Sequence, residues 1–152
     1  SRGLGDVYKR QESLFYYNVR EIPPKTGKAN TLQIALQTRI KLFWRPKALE
    51  KIDMRKPWQF KVTLTRSGQD YTVNNPTPYH VIISDASTQK KGLTAAGFKP
   101  LVMPPKTSQP LKAKMASAPV LTYINDYGAR MPLIFRCEGN TCKVDEDQSS
   151  KG

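Results

Sequence analysis

Between Leu32 and Leu42 every second position except Thr38 is apolar, with Gln33, Gln37, Arg39 and Lys41 among the residues between. A period of two marks a half-buried strand rather than a helix. The run continues through Phe43-Trp44-Arg45 and is stopped by Pro46. Upstream, Ser13–Arg20 is rich in aromatic and β-branched residues and predicts a strand, and Ile22-Pro23-Pro24-Lys25-Thr26-Gly27 predicts an extended stretch and a turn. These two strands form an antiparallel pair joined by a loop. Lys47 to Lys56 is polar and predicts a linker with at most one helical turn.

Alternation resumes at Trp58–Thr65 and is turned by Ser67-Gly68. Tyr71–Asn74 is a short strand, closed by Asn75-Pro76-Thr77-Pro78, and Tyr79–Ser84 follows. Residues 86–97 are small and polar, a loop or weak strand. Leu101–Met103, Gln109–Ala113, Val120–Asp126 and Pro132–Cys137 complete the pattern. About seven or eight strands in roughly 90 residues is the spacing of an immunoglobulin-like β-sandwich, so the expected class is all-β.

Charge adds one question. Lys and Arg number 25 against 12 Asp and Glu, a net charge of +13, which favours anionic partners. The basic residues are scattered, with no basic helix and no long block, so a solvated surface is the simpler reading. A basic sandwich binding nucleic acid or another polyanion stays as the alternative function. No stretch of about 18 apolar residues predicts membrane insertion, and Ser1-Arg2-Gly3-Leu4-Gly5 lacks the apolar core of a secretory signal.

Cys137 and Cys142 flank a four-residue Gly-Asn turn, opposite each other if the turn closes a hairpin. A structural disulfide, which needs an oxidising compartment, is favoured over a redox pair or half a metal site. Zinc would require two further ligands, and His80 is the sole histidine. His80 lies on an apolar strand and reads as packed or surface-exposed rather than as a base. No phosphate loop, nucleophile elbow or paired metal ligands occur, so neither catalysis nor a cofactor is expected.

Several blocks resemble one family. Glu12-Ser13-Leu14-Phe15, Asn18-Val19-Arg20-Glu21-Ile22-Pro23-Pro24, Leu32-Gln33-Ile34-Ala35-Leu36, Arg39–Pro46, Asn75-Pro76-Thr77-Pro78-Tyr79 and Tyr123–Gly128 are similar to the periplasmic pilus chaperones of the PapD type. Those chaperones have two immunoglobulin-like domains. The resemblance implies that 12–46 is the C-terminal part of the first domain, N-terminally truncated, with 47–57 an interdomain linker and 58–145 the complete second domain. Residues 1–11 stand outside it as an artefactual tail, and 146–152 is expected to be a disordered tail. The first segment, as two orphan strands, is expected to be incompletely packed.

The resemblance also implies function: a periplasmic chaperone that binds pilus subunits (pilins and adhesin) by donor-strand complementation and delivers them to an outer-membrane usher. Leu32, Ile34 and Leu36 would enter the subunit's groove. Lys41 would anchor the subunit's terminal carboxylate, although it has the opposite strand parity and so requires a bulge or an interdomain cleft. Glu12, Arg45 and Asp126 would form an ionic network between the domains.

Overall fold

The structure, a computed structural model, describes residues 10–21 and 36–151. Strands β1 (Ser13–Arg20) and β2 (Gln37–Trp44) pair antiparallel in one unbroken register, from Ser13 opposite Trp44 to Arg20 opposite Gln37. The Glu21 amide donates to the Leu36 carbonyl at 2.8 Å and carries the ladder one step further. A 3₁₀ turn at Lys47–Leu49 fits the expected linker. A second at Trp58–Lys61 does not fit the strand expected there. Trp58 and Gln59 are both buried, and consecutive buried positions are incompatible with a two-residue period. The strand begins only after Val62.

From there the chain builds a sandwich. Strands β3 (Thr63–Ser67), β4 (Asp70–Asn75), β7 (Thr107–Leu111), β10 (Phe135–Glu138) and β11 (Thr141–Val144) form one sheet in the order β10-β11-β3-β4-β7. Strands β5 (Val81–Ser87), β6 (Leu101–Met103), β8 (Val120–Ile124) and β9 (Arg130–Leu133) form the other, ordered β6-β5-β8-β9. Every pairing is antiparallel. Alternation explains the core: Leu64 sits opposite both Val73 and Cys142, and all three are fully buried. Val81, Ile83, Leu121 and Leu133 face them from the second sheet. Fully burying such side chains stabilises by about 1.5–3 kcal/mol each.

Two turns are fixed by polar side chains. Buried Asn75 donates through Nδ2 to the carbonyls of Tyr79, Met103 and Pro104, and its Oδ1 accepts from the Thr77 amide and hydroxyl. This ties the Pro-rich turn between β4 and β5 to the end of β6. At the C-terminal end, the single strand expected over Pro132–Cys137 is instead two strands that change sheets at Ile134. The crossover frees the Ile134 backbone groups, and the segment expected to be a disordered tail satisfies them. Helix α1 (Glu146–Ser150) brings Ser149 Oγ to accept from the Ile134 amide at 3.0 Å, while the Asp145 amide donates to the Ile134 carbonyl. Asp145 caps α1 by accepting from the Gln148 amide. Composition conceals this order because the helix is held by backbone satisfaction, not by an apolar face.

Candidate functional site at the hairpin–sandwich seam

The β1–β2 hairpin meets the sandwich through residues just outside its strands. Glu12 precedes β1 and Arg45 follows β2, so register alone places them side by side. Arg45 Nε and Nη2 donate to Glu12 Oε2 at 2.9 and 2.7 Å. Nη1 and Nη2 donate to Asp126 Oδ2 and Oδ1 at 2.9 and 3.1 Å. Asp126 lies in the turn after β8, which Asn125 shapes by accepting from the Tyr127 and Ala129 amides and which Gly128 closes at φ +80°. One planar guanidinium thus holds two carboxylates from opposite sides of the seam.

Glu12 is only 4% exposed, and its other oxygen is occupied as well. Oε1 accepts from the His80 amide at 2.8 Å and from His80 Nδ1 at 3.0 Å. An ionised carboxylate only accepts, so the proton belongs on Nδ1. Burial pushes the Glu12 carboxyl up, but the His80 and Arg45 hydrogen bonds outweigh it and hold the group below its usual range. For Arg45, burial acts against the charge and the bonds to Asp126 and Glu12 more than restore it. The Glu12 amide also donates to the Pro78 carbonyl at 2.8 Å.

Aromatic side chains complete the socket. Trp58 and Tyr79 stack with centroids 4.6 Å apart, and the Arg45 guanidinium stands 5.0 and 5.3 Å from their rings. The Trp58 indole donates to the His80 carbonyl, and Phe43 packs on the His80 ring at 5.4 Å. His80, Trp58 and Tyr79 are the parts that reading the sequence missed. Their signal was local and weak: a lone histidine two residues after the Asn75–Pro78 turn.

The structure brings Glu12, Arg45 and Asp126 into contact and sets Lys41 beside them, in a recess of about 250 Å³ that also touches Phe43, His80 and Asp126. Lys41 shares the parity of Phe43, and the β1–β2 register contains no bulge, so its face is the one turned to the seam. The opposite face carries Leu42, Ile40 and Trp44 beside Phe15, Tyr17 and Val19, all exposed, Tyr17 at 63%. Leu36, with the same parity, is 62% exposed. Leu32 and Ile34 lie outside the described residues. Cys137 and Cys142 are disulfide-bonded across the β10–β11 hairpin, with Cys142 buried and Cys137 exposed. Among the described residues no cluster of three or more His, Cys, Asp or Glu could hold a metal, and no helix is long and apolar enough to cross a membrane.

Both parts of the chain match family models. Residues 57–135 match the C-terminal domain of the pili assembly chaperone PapD, and residues 4–50 match the PapD N-terminal domain of pili and flagellar-assembly chaperones. This chain belongs to the PapD family of pilus-assembly chaperones. The probable fimbrial chaperone YfcS of Escherichia coli K12 is 70% identical over 154 residues, covering 99% of this chain and 62% of YfcS. The chaperone protein PapD of E. coli is 43% identical, over 91% of this chain and 57% of its own length. Among solved structures, the Pseudomonas aeruginosa CupB2 chaperone superposes with a TM-score of 0.62 at 26% identity, over 90% of this chain and 59% of that one. The chain therefore spans about three fifths of the length of YfcS and of PapD. These alignments also correct the reading of 1–11 as a foreign tail: residues 4–11 fall inside the PapD N-terminal match, and the YfcS alignment covers nearly the whole chain.

Proposed function

We propose that this chain is part of a periplasmic chaperone that caps pilus subunits by donor-strand complementation and passes them, pilins and adhesin alike, to an outer-membrane usher. One observation carries the reading beyond family membership: among the described residues β2 is paired on one edge only, by β1, so its other edge offers unpaired amides and carbonyls. An exposed strand edge is a template for an added strand, the mode by which pilus chaperones engage pilins. In the sequence Leu32 and Ile34 share the parity of Leu36, which stands at the described end of that edge. Seating Leu32, Ile34 and Leu36 in a subunit's groove would stabilise by roughly 5–9 kcal/mol before association costs.

In this reading Lys41, on the other face and open to the seam recess, fixes the subunit's terminal carboxylate and therefore its register. Arg45 holds the hairpin against the sandwich so that edge and anchor keep one geometry. The periplasm supplies the oxidising conditions that the Cys137–Cys142 disulfide needs. The chemistry requires no cofactor, because strand exchange breaks no covalent bond. The polyanion alternative gains no support from either the family or the fold.

Co-expression of the full-length protein with a pilin of its own operon tests the proposal. Leu36→Asp or Lys41→Ala should reduce co-purified subunit at least tenfold, with little response to raising salt in the unsubstituted pair. Undiminished capture by both variants, or binding that collapses steeply with salt, would reject groove filling in favour of charge-driven binding.

A further inference from the structure

The loop after β5 folds over the outer face of the four-stranded sheet, leaving a recess of about 380 Å³ between them. Its floor is Asp85, Val120, Thr122 and Pro132, positions that alternate with the buried Ala86, Leu121 and Leu133. Three cations line it: Lys90 and Lys91 from the loop and Arg130 from the start of β9. The loop is built to present its two lysines. Ser87 Oγ and the Gly92 amide both donate to the Gln89 carbonyl, at 2.6 and 3.0 Å, and Lys91 takes a left-handed backbone at φ +55°. A Cβ at Gly92 would stand 2.9 Å from Gln89 Cγ and 3.0 Å from the Gln89 carbonyl, so a larger residue would require the turn to shift. None of the three cations has an ion-pair partner among the described residues. Unpaired cations around a concave site focus a positive potential inside it.

We propose that this recess seats the phosphodiester headgroup of an anionic phospholipid ending in hydroxyls, docking the sandwich on a membrane surface. Lys90, Lys91 and Arg130 would hold the phosphate. Asp85 decides against a bare anion: its Oδ1 accepts from the Ala86 amide at 2.9 Å, leaving the carboxylate's other oxygen for a headgroup hydroxyl. A lone phosphate would face that carboxylate and leave most of the recess unfilled. Val120, Met131 and Pro132 offer apolar contact to glyceryl carbons. Leu93, one residue past Gly92, is 93% exposed, placed to enter the interfacial layer beside the lysines. The net charge of +13 draws the whole molecule to the same surface.

Sedimentation of the full chain with phosphatidylglycerol and phosphatidylcholine vesicles tests the site, independently of subunit binding. Each basic residue at an anionic surface contributes about fivefold in partitioning, so Lys90→Ala/Lys91→Ala/Arg130→Ala together should weaken phosphatidylglycerol binding about a hundredfold. Leu93→Asp should weaken it as well. Asp85→Ala should weaken it if the carboxylate accepts a headgroup hydroxyl, whereas mere relief of repulsion would strengthen it. Spin-labelled headgroups should broaden amides of 87–92 and 120–132 in the unsubstituted protein and spare those of β10–β11. The proposal is overturned by absence of vesicle binding, by equal loss when Lys47, Lys51 and Lys56 are changed to Ala instead, by tighter binding of Asp85→Ala, or by capture of inorganic phosphate without vesicle binding.

Discussion

Glu12 is the residue on which the seam turns, because both its oxygens and its amide are engaged across 33 to 68 residues of sequence. Glu12→Ala would strip Arg45 and His80 of their shared acceptor inside a buried site, a loss of about 3 kcal/mol. Hydrogen exchange of β1 and β2 amides should then quicken about a hundredfold while the sandwich core is unchanged. Asp126 is far more exposed, so Asp126→Ala should cost less than about 1 kcal/mol in the same measurement. The pH dependence has a definite sign. The folded Glu12 carboxyl titrates below its ordinary 4.5, so its contribution is present above that value and is lost as pH falls through the folded pKa. Urea midpoints measured from pH 6 down to 3 should show this loss beginning near 4.5, and Glu12→Gln should remove that step. Glu12, Arg45 and Asp126 were legible through family blocks in the sequence. His80, Trp58 and Tyr79 were not, since nothing about a histidine on an apolar strand says which distant carboxylate will reach it.

At the scale of elements, the strands that were legible are those whose neighbours impose strict alternation, such as β4 and β8. Where the chain bends between sheets or packs two successive residues, the period breaks: Trp58–Lys61 turns before β3, and Ile134 divides one apolar run into β9 and β10. The small helix α1 is held at that break by Ser149, so Ser149→Ala leaves the Ile134 amide unpaired and should lower stability by about 1 kcal/mol. Reducing the Cys137–Cys142 disulfide opens a loop of about six residues in the unfolded chain, worth about 2 kcal/mol in the chain-entropy account. A lowered urea midpoint with reductant, absent in Cys137→Ser/Cys142→Ser, is the expected reading.

Across the whole molecule the two parts differ in how they are held. The sandwich has its own core between two sheets, whereas the β1–β2 hairpin exposes a continuous apolar face and, among the described residues, meets the sandwich mainly around Glu12, Lys41, Phe43 and Arg45. A chain restricted to 47–152 should therefore keep a cooperative thermal transition and native near-ultraviolet circular dichroism, and Ile40→Lys/Leu42→Lys in the full chain should lower aggregation without shifting that transition. By itself the sequence determined the strand class, the sandwich and the parity of β2, because alternation of side chains is a local consequence of backbone geometry. It also favoured a disulfide across one short turn, which the structure contains. Only the tertiary structure decided the geometry in which Glu12, Arg45 and Asp126 meet and that His80 joins them, which recess Lys41 faces, and that the polar C-terminal segment is ordered. Those are pairings between groups up to 81 residues apart, fixed by packing two sheets and a hairpin in space, and no local period encodes them.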